Sequence, residues 1–261
     1  MNTLMRMLAA APVVRNLLII NIIVFIGTSL MSIPMAQRVD DLFALHYFDS
    51  PGFRVWQLFT YMFLHANFTH LFFNMFALAM FGPELEWRMG YRRFLFFYLA
   101  CGVGAALIQE GVFAVMLVKY HNMFGADIYD LVVNGSWKVM HGHEVPLTLS
   151  QAELVNTPAG AELAALVNGA TVGASGAIFG LLLAFAVINP NREMYIMFIP
   201  VPVKAKWVVI GYGVLELAQG VGGFETNVAH FAHLGGMFVG LLIILYWKHR
   251  DRQQMKGRWE A

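Results

Sequence analysis

The chain has 261 residues, 59% hydrophobic and 13% charged, with a formal net charge of +1. A soluble domain carries about 25% charged residues, so this shortfall and a mean hydropathy of +0.61 point to a polytopic membrane protein. The near-zero charge gives none of the basic bias of a nucleic-acid binder, and a single cysteine, Cys101, excludes an intrachain disulfide.

A membrane-spanning helix needs about 20 mostly apolar residues. Residues 16–37 carry no Asp, Glu, Lys or Arg and form the first expected span. The stretch is too long for a signal peptide and lacks a small-residue cleavage site, so it reads as a retained helix. Residues 34–54 form a first outer loop with Pro34, Pro51 and Gly52 as breakers. Its apolar 42–48 patch (LFALHYF) suits a short element in the membrane interface. Residues 55–83 are also uncharged. The second span should be polar at its start, where His65, Asn67, His70 and Asn74 lie, and apolar at its end. A third span begins after Arg92 and Arg93 and reaches Gln109 and Glu110. Residues 119–162 read as a long outer insertion with two lysines against five carboxylates. Within it Ser150 and Glu153 make a capping box, and Pro158 interrupts a partly helical run. The fourth span lies in the uncharged 163–191 stretch. The fifth starts near Trp207 and is interrupted by Glu216. The sixth lies within 226–247, before a cytoplasmic tail at 248–261. The expected fold class is all-α: one membrane domain over 1–261, a six-helix bundle with an insertion before the fourth helix.

Lys and Arg mark cytoplasmic loops. With six spans, the termini and the loops after the second and fourth spans hold thirteen of these cations, and the other side holds only Arg38, Arg54, Lys119 and Lys138. Both termini are therefore expected inside. In that orientation His65, His70, Ser175 and His233 all lie near the starts of spans that run from outside to inside. At about 1.5 Å rise per residue, all four fall in the outer part of the bilayer. Polar side chains at that depth are expensive and are functional candidates by default.

Ser175 sits in GASG, with Gly173 and Gly176 around it. A serine at a helix start has free backbone N–H groups beside it, and the helix dipole there favours a developing negative charge. Ser175 could thus be a nucleophile whose own amide helps hold an oxyanion. The bland alternative is small-residue packing between helices. His233 supplies the base a serine needs. The Gly236 and Gly240 that follow it form GxxxG, which permits close helix approach. Its bland alternative is a histidine bonded to a carbonyl across helices. His230 is a rival base, and the glycine spacing favours His233. No Asp or Glu stands near either histidine in sequence, so a Ser–His dyad is expected rather than a triad. His70 and Asn74 share one helix face and can donate to a tetrahedral intermediate; alternatively they satisfy each other. His65 could gate or order water. A metal site from His65, His70, His230 and His233 is disfavoured: HExxH is absent and no carboxylate accompanies the set. No metal and no cofactor is expected.

Three segments, HANFTHLFFN at 65–74, GASGAIFG from Gly173 and AHLGGMFVG from Ala232, resemble the signature segments of rhomboid intramembrane serine proteases. The likeness covers roughly 55–118 and 170–247. It implies Ser175 as nucleophile, His233 as base, and His70 and Asn74 as oxyanion partners beside Ser175. Gly173 matches the glycine before the serine, and His65 the histidine opening the second-span motif. Glu86, Arg88 and Gly90 resemble the family's inner-turn motif. Some family members have a tyrosine where Phe179 stands, stacked on the histidine. Where the family often has Trp-Arg in the first outer loop, this chain has Trp56-Gln57. The implied activity is a cofactor-independent endopeptidase acting in the lipid bilayer on transmembrane protein substrates, in a bacterial inner membrane. The implied alternative is a non-proteolytic relative acting as membrane chaperone or scaffold.

Overall fold

The computed structural model describes residues 9–145, 148, 151–153, 156–195, 201–222 and 230–259. Helix α1 (Pro12–Ser29) is followed by α2 (Ile33–Phe43), the short α3 (Gln57–Thr60) with a 3-10 turn (Tyr61–Phe63), and α4 (Phe68–Met89). Then come α5 (Tyr91–Phe124), α6 (Ala126–Met140), α7 (Pro158–Asn168), α8 (Ser175–Ile188), α9 (Ala205–Gly222) and α10 (His230–Trp259). Among the described residues, α1, α5 and the His230–Asp251 part of α10 are long and apolar enough to cross a membrane, and α8 is a shorter apolar helix. α4 carries Glu84, Glu86 and Arg88, and α9 carries Lys206 and Glu216, which lowers the hydropathy of both.

α8 is the centre of the bundle, packed by α4, α5, α9 and α10. In lipid, helices associate through close van der Waals packing rather than by leaving water, and small residues permit it. The α8–α10 contact shows this directly. A Cβ on Gly236 would run into the Gly176 carbonyl, and one on Gly240 would lie 3.2 Å from Gly180 Cα. Helix α10 therefore presents its GxxxG to a matching Gly176/Gly180 pair on α8. Fully buried Phe94, Phe97 and Tyr98 of α5 belong to the same core, while Ile19, Ile23 and Ile26 of α1 face outward.

At the far end of α4, Glu86 caps α1: its two carboxylate oxygens accept from the Val13 and Val14 amides at 3.0 and 2.9 Å. A carboxylate there meets both the free first-turn amides and the helix dipole. Arg88 pairs with Glu84 at 3.0 Å, and Gly90 turns the chain into α5 with φ of 78°, a conformation glycine adopts without strain. Arg93 of α5 reaches Asp251 of α10 at 3.1 Å. The residues expected at the inner turns thus gather at one end.

Several expectations need correction. The uncharged 163–191 stretch holds the end of α7 and an extended segment before α8 starts at Ser175, where the helix start was expected. Pro158 does not interrupt a helix but begins α7, with Thr157 as N-cap accepting from the Gly160 amide at 3.1 Å. Proline fits a first helical turn, where its missing N–H has no partner to lose. The Ser150 half of the expected capping box lies outside the described residues. The helix of the third expected span continues well past Glu110 to Phe124, beyond residue 119, and ends at Gly125 with φ of 73°. The loop at 192–204 holds a small antiparallel hairpin, Glu193–Tyr195 with Pro202–Lys204, where only helices were expected. The 42–48 patch is two-sided. Leu42, Phe43 and Phe48 are exposed, but Leu45 and Tyr47 are buried, because Leu45 exchanges two main-chain bonds with Thr171.

Helix α6 docks on the first loop. Trp137 packs against Gly52, and Asn168 links Ser50 to the Val133 carbonyl at 3.0 Å each. His141 Nε2 lies 3.0 Å from Asp41 Oδ2. The Trp137 carbonyl and then Asp41 hold His141 above the ordinary histidine range. A group raised on folding gives stability that is complete below its unfolded pKa and is lost as pH rises through its folded pKa. Both partners are partly solvated, so the effect is small. Hydrogen-exchange protection factors of residues 33–43 should fall as pH rises from about 6.5, the ordinary histidine value, through the raised value of His141. His141→Gln should flatten that dependence; flat protection in the parent protein would mean the pair contributes nothing.

Candidate active site

The segment before Ser175 is pinned at two points. Thr171 pairs with Leu45, and the Gly173 amide donates to the Tyr61 carbonyl at 2.9 Å. Tyr61 is held in turn, its hydroxyl donating to the Gly102 carbonyl at 2.8 Å. Gly173 has φ of 123°, a region that disfavours side chains. A Cβ there would lie 2.6 Å from His70 Nε2 and 3.7 Å from Asn74 Nδ2. His70 and Asn74 on α4 therefore lie over the backbone just before Ser175. Asn67 caps α4, accepting from the His70 amide at 2.8 Å, and this fixes the turn that carries His70.

Ser175 is the first residue of α8, and the N-cap is Ala174, without a side-chain bond. Substituting alanine for a good N-cap costs a helix about 1 kcal/mol. In return, no side chain occupies the first-turn amides, which lack helical partners. Asn74 Nδ2 is likewise a buried donor without a partner among the described residues.

Ser175 Oγ lies 2.8 Å from His233 Nε2. The α8–α10 glycine contact produces this approach, since His233 is one helical turn from Gly236. Phe179, one turn along α8, stacks on the His233 ring with centroids 4.3 Å apart and planes 9° apart. His65 is buried edge-on to His70, at 5.2 Å between ring centroids. His65 and Val172 also line a cleft of about 490 Å³. Of the sequence candidates, Ser175, His233, His70, Asn74, Gly173, Gly176, Phe179, Gly236 and Gly240 meet in one region, with His65 at its edge.

His230 does not meet the serine among the described contacts. Its Nδ1 lies 2.7 Å from Glu216 Oε2, and His233 Nδ1 lies 3.0 Å from the same oxygen. The second contact is within bonding distance but off-line, so His233 Nδ1 lacks a well-directed hydrogen bond. The expectation that no carboxylate accompanies the histidines is overturned, because α9 brings Glu216 in from 17 residues away in sequence. The signal was present: a lone carboxylate in an apolar span implies a partner. Glu216, His230 and His233 offer ligand atoms within 4.8 Å of one another, a cluster able to hold a cation.

Gln57 is a second residue whose role the sequence did not show. It is fully buried. Its Oε1 accepts from the His46 and Arg54 amides at 3.3 and 3.1 Å, and its Nε2 donates to the Asp41 and Gly52 carbonyls at 3.0 Å each. The first loop is thus anchored by the Gln57 amide.

If His70 and Asn74 serve an oxyanion, removing one donor should slow turnover by on the order of 10²–10³ without abolishing it. Asn74→Ala, assayed as turnover of purified enzyme, is expected in that range. Unchanged turnover would make Asn74 a packing residue.

A rhomboid domain model matches residues 52–250. The chain is 27% identical over 203 residues to Rhomboid protein 1, mitochondrial, of Saccharomyces cerevisiae, covering 76% of this chain and 45% of that protein. It is 25% identical over 246 residues to Rhomboid protease AarA of Providencia stuartii, covering 90% of this chain and 72% of that protein. With Rhomboid-like protease 1 of Toxoplasma gondii it shares 27% identity over 148 residues, covering 54% of this chain and 49% of that protein. The chain thus spans about half the length of the yeast and Toxoplasma relatives. The domain match takes in every helix from α3 to α9 and nearly all of the apolar part of α10, and on that extent the chain belongs to the rhomboid family.

Proposed function

We propose that this integral membrane protein is an intramembrane serine endopeptidase that cuts transmembrane segments of other membrane proteins. The observation that carries the reading is the 2.8 Å approach of Ser175 Oγ to His233 Nε2. His233 Nε2 takes the hydroxyl proton as Oγ bonds to the scissile carbonyl carbon. The carbonyl π pair moves onto oxygen, where first-turn α8 amides, Asn74 and His70 donate to it. Collapse breaks the C–N bond, and the imidazolium returns its proton to the leaving amine. Water entering by the cleft at His65 and Val172 then hydrolyses the acyl-enzyme. The substrate helix must open first, because an intact helix keeps its carbonyls in hydrogen bonds.

The same reading takes α1, α4, α5, α8, α9 and α10 as six spans of a single membrane domain, both termini inside. Helix α8 has 14 residues and is about 21 Å long at 1.5 Å per residue. A hydrocarbon core is about 30 Å thick. Ser175 therefore lies below the outer surface, with α6 and α7 outside. The relatives include a bacterial and a mitochondrial protein, so either membrane fits this reading.

Purified protein in liposomes with a single-span substrate tests this. Cleavage inside the substrate's span, unaffected by EDTA or phenanthroline, is expected. No cleavage of any single-span substrate would favour a scaffold. Chelator-sensitive cleavage restored by zinc would move the chemistry to the Glu216–His230–His233 cluster.

A further inference from the structure

Glu216 is 8% exposed on α9, and the proposed chemistry does not use it. A carboxylate at membrane depth is costly unless it is paired. Its Oε2 faces Nδ1 of His230 at 2.7 Å and Nδ1 of His233 at 3.0 Å. An ionised carboxylate only accepts hydrogen bonds. His230 therefore presents its N–H at Nδ1; His233 Nδ1 is within reach of the same oxygen but off-line, and an N–H there leaves Nε2 with a lone pair, 2.8 Å from Ser175 Oγ. This is the tautomer a general base needs. The 9° stack on Phe179 holds the ring plane, so bringing Oε2 into line with Nδ1–H falls to the Glu216 side chain.

We infer that Glu216 is a positioning residue: anchored by His230, it fixes the Nδ1–H tautomer of His233 and stabilises the imidazolium formed when Nε2 takes the serine proton. Glu216 stays ionised throughout, and the proton moves only between Oγ, Nε2 and the leaving amine. The competing account is that Glu216 serves His230 alone and ties α9 to α10. The inference rests on Ser175 and His233 acting as nucleophile and base.

Two measurements on the full chain in detergent test it. The first is fluorophosphonate labelling of Ser175, with thermal stability measured alongside and kcat and KM for a single-span substrate. Glu216→Gln should slow labelling and lower kcat by between about 10² and 10⁴, the upper figure being the worth of a well-aligned orienting carboxylate. KM and the melting temperature should hold, and Glu216→Asp should recover part of the rate. Parent-like labelling in a folded Glu216→Gln protein would overturn the inference while leaving the nucleophile assignment intact. Failure of the parent protein to label at Ser175 would instead sink the protease reading itself. The second needs no variant. Nitrogen-15 spectra of histidine-labelled parent protein should show His233 protonated at Nδ1 and bare at Nε2; the opposite tautomer would overturn the inference even if Glu216→Gln failed to fold.

Discussion

Replacing Ser175 by alanine should reduce cleavage of a transmembrane substrate to background while the protein inserts and folds as before. When nucleophile and base act as one unit, loss of either costs on the order of 10⁶ in turnover. The structural cost is small by comparison. The change deletes one hydroxyl and its contact with His233, and a neutral hydrogen bond is worth about 1 kcal/mol. The α8–α10 contact is made by Gly176, Gly180, Gly236 and Gly240, none of which changes. Thermal stability in detergent and cleavage in liposomes, measured on one preparation, separate the two effects. Cleavage at the parent rate would remove Ser175 from the mechanism.

His233→Ala should match that loss, and it should also abolish fluorophosphonate labelling, because the base activates the serine for either reaction. His230→Ala should behave differently. His230 contacts Glu216 and, among the described residues, not the serine. Its removal takes away the better-directed of two bonds to a buried carboxylate, leaving His233 as the remaining partner. Labelling should persist within roughly a hundredfold of the parent, the scale of one hydrogen bond to a charged group. Loss of labelling in His230→Ala with retention in His233→Ala would reverse the roles of the two histidines.

Much of this was legible in the sequence, for a definite reason. Glycine spacing reports backbone approach, so Gly236 and Gly240 after His233 already implied a helix pressed closely on another. Polar residues in uncharged stretches are few enough that Ser175, His233, His70 and Asn74 stood out. What was not legible depended on contacts between segments far apart in sequence. Charge alone could not show that Thr171, just before the helix start at Ser175, pairs with Leu45 of the first loop. Nor could spacing show that Glu216 faces both histidines, since α9 and α10 must first pack. Gln57 looked like a lost arginine; only the folded loop shows four main-chain groups converging on its amide. The long run of α5 to Phe124 was hidden because Glu110 resembled a span end, whereas it is buried and accepts from the Phe48 amide at 2.9 Å.

In the proposed chemistry His233 activates Ser175 at membrane depth. Mass-spectrometric mapping of a fluorophosphonate adduct, formed on the parent protein in its membrane, tests it most directly. The adduct should sit on Ser175 alone, and a transmembrane substrate should slow its formation. It should be absent from His233→Ala protein that remains folded. An adduct on another serine, or undiminished labelling of Ser175 without His233, would contradict the account.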